Sequence, residues 1–291
     1  GSPADLMEII LGLTSAIGWG GADFLAGLAS RQMGSFRTLF FTQFVGFITV
    51  GLYALATGLF FTLEAQPTIV YVAAVAAALL NIVSSFCLYR AFEIGLMAVV
   101  SPITASYGAL TAVFAFVSGE RLPAVRVLGV LSAVVGVMLT AFVINPEALQ
   151  QRNVRRGVSW AITGAVGYAL VFWLFGFYVT PYLGGILPVF VIRALTIVVL
   201  GSIALLIRHP LIVPRKHDLG RVLLIGVCDT AAYIAILSGT ALGAVSIVTV
   251  LSSLYTTVTV VLAAYLLHER LHKSQWLGVA LIFTGIVLVS L

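Results

Sequence analysis

Apolar residues fill this chain in long, nearly unbroken runs separated by short polar turns. Nowhere do they alternate with polar residues in the way that marks a half-buried strand. Ten runs have spanning or near-spanning length: 6–28, 39–61, 68–88, 98–117, 125–144, 158–179, 186–207, 222–242, 246–267 and 276–291. A helix needs about 20 apolar residues to cross the hydrocarbon of a bilayer, and it satisfies its own backbone hydrogen bonds there. The pattern therefore predicts an all-α integral membrane protein with ten transmembrane helices. The most hydrophilic interruption, Asn145 to Gly157, falls at the midpoint and divides the chain into segments 6–145 and 157–291.

The two segments repeat each other. Gly119-Glu120-Arg121-Leu122, followed by Gly129 and Gly136, recurs as His268-Glu269-Arg270-Leu271, followed by Gly278 and Gly285, at an offset of 149. Asn81 matches Asp229 and Tyr107 matches Tyr255 at an offset of 148, and Gln43 matches Arg193 at 150. Five spans per copy is an odd number, so the second copy must enter the membrane from the opposite side. Inverted repeats of this kind are common in secondary transporters, where exchanging the conformations of the two copies gives alternating access.

Composition supports lipid as the solvent. Of the residues, 61% are hydrophobic and 9% are charged, and the mean hydropathy is +1.16; a soluble surface of this size needs more polar cover. The net charge of +5 does not point to nucleic acid, because the basic residues sit in the turns. Those after spans 1, 5, 7 and 9 hold eleven (Arg31, Arg37, Arg152, Arg155, Arg156, Arg208, Arg215, Lys216, Arg221, Arg270 and Lys273), and the opposite face holds two, Arg121 and Arg126. The positive-inside rule places the richer face in the cytoplasm and both termini outside. The first apolar run is too long for a signal peptide and lacks a basic leader. Cys87 and Cys228 lie in apolar runs without metal or disulfide spacing.

These landmarks resemble the drug/metabolite transporter superfamily, in particular its ten-helix EamA branch. The resemblance rests on Gly119-Glu120-Arg121-Leu122 and Glu269-Arg270-Leu271 with their trailing glycines, on Arg193 in the second helix of its repeat, and on Pro102 in span 4. It covers the whole chain and implies a secondary transporter of a small polar solute in a bacterial inner membrane. Similar bacterial members export aromatic and neutral amino acids, which makes these the leading expectation; another metabolite or a drug-like cation is the alternative. The expected partners are a small-molecule substrate and the lipid bilayer, with no cofactor and no nucleic acid.

Ionisable residues inside a membrane mark functional sites by default. Here they are Asp23, Arg193 and Asp229, with Arg90 and Glu93 at the end of span 3 reading as an interfacial pair. Arg193 and Asp229 fit two roles: lining a cavity, with Arg193 for a carboxylate and Asp229 for an ammonium or a proton, or bracing spans 7 and 8 as an ion pair. Gln43 and Asn81, their repeat counterparts, are polar and neutral. Asn81, Ser85 and Tyr89 share one helical face, as do Asp229 and Tyr233. Tyr107, Tyr168, Tyr255 and Trp173 supply rings and hydroxyls for an amphipathic solute, and these twelve residues form the candidate binding set. The glycine stripes of spans 5 and 10 read as packing seams.

His268-Glu269-Arg270-Leu271-His272 matches the zinc-protease pentad H-E-x-x-H, so an intramembrane metalloprotease is a remote alternative. Its position in a turn, its membership of the repeated landmark and the lack of a following third ligand argue against it, and no metal is expected. No phosphate-binding loop or nucleophile elbow occurs, which leaves a gradient or downhill flow as the energy source. A channel, the other rival, would conduct without saturation.

Overall fold

The computed structural model describes residues 3–61, 64–95, 97–141, 152–258 and 273–290. The described part is helical throughout. The elements are α1 (Pro3–Met33), α2 (Ser35–Ala56), α3 (Thr68–Ile94), α4 (Met97–Ala105), α5 (Tyr107–Val117), α6 (Ala124–Ala141), α7 (Arg152–Leu174), α8 (Thr180–Leu183), α9 (Ile186–Leu206), α10 (Lys216–Thr240), α11 (Val245–Ser252) and α12 (Lys273–Ser290). Six stretches are long and apolar enough to cross a bilayer, and four shorter apolar helices, Ile103–Val117, Ala124–Leu139, Val245–Val258 and Trp276–Val289, complete ten spans. The segment His268–His272 lies outside the described residues, as do residues 142–151, which hold the first part of the boundary between the two halves.

Helix ends follow local chemistry. α1 turns into α2 through Gly34 alone, at φ +85°, a left-handed conformation that glycine adopts without cost. Glycine has no side chain to cap α2, and the Glu93 carboxylate takes that role by accepting the Ser35 N–H at 3.0 Å. The same carboxylate is 2.7 Å from Arg90, so the predicted pair exists and also braces a neighbouring helix. The run 39–61 is not one helix: α2 stops at Ala56, Gly58 takes φ +68°, and Leu59–Phe61 form a separate 3₁₀ turn. Span 4 is interrupted at Ser106, whose hydroxyl turns back onto the Ile103 carbonyl at 2.6 Å. Span 6 ends in a π-helical turn, Phe175–Val179, before α8.

The packing carries the twofold signature of an inverted repeat. Span 1 packs on span 8 as span 3 does on span 6, while spans 2 and 7, 4 and 9, and 5 and 10 pair with their own counterparts. The last pair is a glycine seam. A Cβ added to Gly129 would lie 2.9 Å from the Gly285 carbonyl, and one on Gly136 2.7 Å from the Gly278 carbonyl. Ser132 also donates to the Leu281 carbonyl at 2.8 Å.

Outward faces carry large apolar side chains, such as Leu52, Val72, Leu128, Leu205 and Phe283, all strongly exposed. Inward faces carry hydroxyls and charges. Many buried hydroxyls are satisfied by their own helix, as in Thr196 to Ile192 and Thr249 to Val245, both at 2.7 Å. Apolar outside and polar inside is the distribution expected in lipid.

Candidate functional site

The polar inner faces enclose a central cavity lined by Trp19, Asp23, Gln43, Ser85, Leu88, Tyr89, Thr104, Tyr107, Tyr168, Phe172, Asp229, Tyr233 and Tyr255. Counting the open space at its mouth, the volume between the lining atoms is about 440 Å³. Its residues come from both repeats. The helical spacings that group Ser85 with Tyr89, and Asp229 with Tyr233, bring each pair to the same wall.

At the centre is a charged knot. Arg193 is fully buried; its Nη2 lies 2.9 Å from Asp229 Oδ2, and its Nη1 donates to Gln43 Oε1. Gln43 Nε2 donates to Asp229 Oδ2 at 3.3 Å, and the Trp19 indole N–H donates to Oδ1 at 2.8 Å. Asp229 is thereby held from α1, α2 and α9 at once. The guanidinium also stands 4.9 Å from the centroid of the Tyr233 ring, a cation–π distance. Tyr233 in turn donates to Asn81 Oδ1 at 2.5 Å. Gln43 and Arg193, related by the repeat, meet where α2 packs on α9.

Around the knot is an aromatic wall. Trp19 contacts Tyr233 edge-on at 5.1 Å, Phe172 at 5.9 Å and Tyr107 at 6.4 Å, and Phe172 stacks on Tyr168 at 6.0 Å. The phenol groups are tied to hydroxyls: Tyr168 shares a hydrogen with Ser85 at 2.9 Å, Tyr255 with Thr104 at 2.6 Å, and Tyr107 donates to Ser252 at 3.1 Å. Tyr89 has one long contact, 3.5 Å to Thr42.

Of the twelve residues singled out in the sequence, nine line the cavity. Arg193 and Asn81 stand one layer behind it, in contact with Asp229 and Tyr233 respectively. Trp173 is elsewhere: its N–H donates to Ser118 at 2.7 Å and its ring packs on Phe114 and Tyr178. Neighbouring Phe172, not Trp173, turns inward. Sequence reading also missed Trp19, Leu88 and Thr104. Trp19 was within reach, because it precedes Asp23 by one helical turn and shares its face.

Ten spans, an inverted repeat and a central polar cavity define a membrane transporter of small molecules. The model of the EamA-like transporter family matches residues 6–142 and again 155–291. The chain belongs to the EamA-like transporter family, within the drug/metabolite transporter superfamily. A solved structure described as "Crystal structure of protein" shares the fold, with a TM-score of 0.72 and 20% identity over 97% of this chain and 95% of its own. No curated protein matches the sequence.

Proposed function

We propose that the chain is a secondary transporter that exports neutral and aromatic amino acids by alternating access. It works in a bacterial inner membrane, with the loops after spans 1, 5, 7 and 9 in the cytoplasm. The observation that carries this reading is the cavity itself: rings on most of its wall, carboxylates at one side, and helices of both repeats around it. An aromatic side chain finds offset and edge-on ring partners there, worth about 0.5–1.5 kcal/mol each beyond area burial. An ammonium finds carboxylate, and a substrate carboxylate finds the hydroxyls of Tyr89 and Ser85 and the Gln43 amide.

The alternative, an organic cation, is favoured by one specific feature. Asp23 faces the cavity and makes no hydrogen bond or ion pair with any described residue. Counterflow in proteoliposomes separates the two readings. Vesicles preloaded with unlabelled L-phenylalanine should take up labelled phenylalanine with saturation and lose this on Tyr233→Ala. Counterflow of a quaternary amine without any amino acid would replace the leading reading by the alternative. Flux that never saturates would point to a channel.

A further inference from the structure

One buried stripe of α1 runs from near the start of the helix to the central cavity. Glu8, Gly12, Ser15, Trp19 and Asp23 follow each other at three- and four-residue spacing, so they share a face. Trp19 and Asp23 line the cavity. The other three meet span 9 and close the way from the cavity to the face that carries Glu120, which the orientation proposed above makes the outer face. Next to Trp19, the Ser15 hydroxyl lies 2.8 Å from that of Ser252, and both residues are fully buried. Further out α1 and α11 are close-packed: a Cβ on Gly12 would lie 2.9 Å from Leu251 Cβ and 3.1 Å from the Val248 carbonyl. The outermost layer is polar. The Glu8 carboxylate, 4% exposed, accepts the Ala244 N–H at 3.1 Å. Glu120 accepts the N–H of Ser246 at 3.2 Å and also its hydroxyl.

These carboxylates do what α11 cannot do for itself. Its N-cap position is held by Ala244, which has no side-chain oxygen to accept from the first turn. The first N–H groups of a helix carry the positive end of its dipole, and a carboxylate there makes a charge-assisted hydrogen bond, stronger than a neutral one. Glu8 and Glu120 belong to the first repeat and α11 to the second. The bonds therefore fasten one repeat to the other at one end of the route.

The opposite end is built differently. At an offset of 149, Trp19 and Asp23 fall on Tyr168 and Phe172, which also line the cavity. At the same offset Glu8 falls on Gly157 and Ala244 on Gly95. Those two glycines are packed together, since a Cβ on Gly157 would lie 2.7 Å from Gly95 Cα. The inner contact is thus the counterpart of the outer one without its carboxylate. Glu120 has a counterpart, Glu269, which lies outside the described residues.

We propose that Glu8 and Glu120 are the outer gate of the carrier. Bonded to Ala244 and Ser246, they hold span 9 against span 1 and shut the cavity from the outer face, and release of both is the step that opens it. Because the inner end lacks one of the two carboxylates, the empty carrier rests with its outer side closed. The proposal rests on the alternating-access reading of the cavity and is independent of which solute crosses.

The test uses the full chain with Cys87 and Cys228 replaced by alanine and Leu88→Cys as a reporter in the cavity. A membrane-impermeant thiol reagent is applied to one face at a time, with no solute present. With both glutamates in place, labelling should be faster from the inner face. Glu8→Ala combined with Glu120→Ala should raise the outer rate about tenfold or more, as expected for the loss of hydrogen bonds to charged groups. The inner rate should fall at the same time, since the two openings are alternative states of one molecule. Glu120→Gln alone keeps an acceptor for Ser246 and should fall between. Gly136→Val, which strains the seam of spans 5 and 10 and leaves the gate intact, should move neither rate by more than about twofold. An unchanged outer rate in the double variant overturns the gate, as does a rise at both faces that Gly136→Val reproduces, because that is loss of the fold. Faster outer labelling with both glutamates present overturns the outer-closed resting state. A rise at the outer face alone, with the inner rate undiminished, keeps the gate and removes alternating access, leaving a channel that the two glutamates plug.

Discussion

Asp229 and Arg193 brace the interior, and Asp229 also faces the cavity. Either partner alone would leave a buried charge without compensation, which costs about 3–5 kcal/mol. Arg193→Ala should therefore lower thermal stability in detergent by that order, whereas Trp19→Phe, which keeps the ring and removes the N–H, should cost about 1–3 kcal/mol. A melt of Arg193→Ala indistinguishable from wild type would show that the ion pair is not bracing the fold. At this scale the sequence reads polar residues well and aromatic ones poorly. A carboxylate or amide in an apolar helix has few places to go but inward. A ring is at home against lipid or against a solute, so Phe172 and Trp173, adjacent in the chain, gave no sign of which would turn in. Only the one-turn spacing from Asp23 could have marked Trp19.

Among elements, the Gly119-Glu120-Arg121-Leu122 turn of the first repeat has a physical explanation. Gly119 takes φ +101°, a conformation that side chains rarely adopt. The Glu120 carboxylate that follows accepts both the N–H and the hydroxyl of Ser246 at the start of α11. It caps a helix of the other repeat, alongside Glu8, which accepts the Ala244 N–H at 3.1 Å. The pattern was visible in the sequence, but its job was not, because the capped helix lies 126 residues away. Burial holds the Glu120 carboxyl above its ordinary range, and the hydrogen bonds from Ser246 offset only part of this. The folded chain thus binds that proton more readily than the unfolded one. The stability it supplies is complete below the ordinary value of 4.5 and is lost as pH rises through the raised one. Glu120→Gln should flatten the pH profile of unfolding across that window; an unchanged slope would contradict the assignment.

The glycine stripes of spans 5 and 10 were legible as a seam, because small residues at regular spacing have little other use in an apolar helix. Gly136→Val should drive its side chain into the Gly278 carbonyl and Ile282, costing about 1–3 kcal/mol by overpacking. Thermal unfolding would check this, and a neutral result would place the seam elsewhere.

For the molecule as a whole, the count of spans and the repeat were legible because the bilayer enforces length and an odd count enforces inversion. Helix breaks inside spans, at Ser106 and in the π turn of span 6, were not, since an apolar run looks the same with or without a kink. Those breaks and the crossed pairing of spans place residues of both repeats around one chamber. The central claim is that this chamber is exposed to each side of the membrane in turn. Leu88 lines it and is 6% exposed. The most direct measurement replaces Cys87 and Cys228 with alanine, introduces Leu88→Cys, and applies a membrane-impermeant thiol reagent from each side of oriented proteoliposomes, with and without L-phenylalanine. Alternating access predicts labelling from both sides, with the ratio between them shifted by the solute. Labelling from one side only, unchanged by any solute, would contradict it.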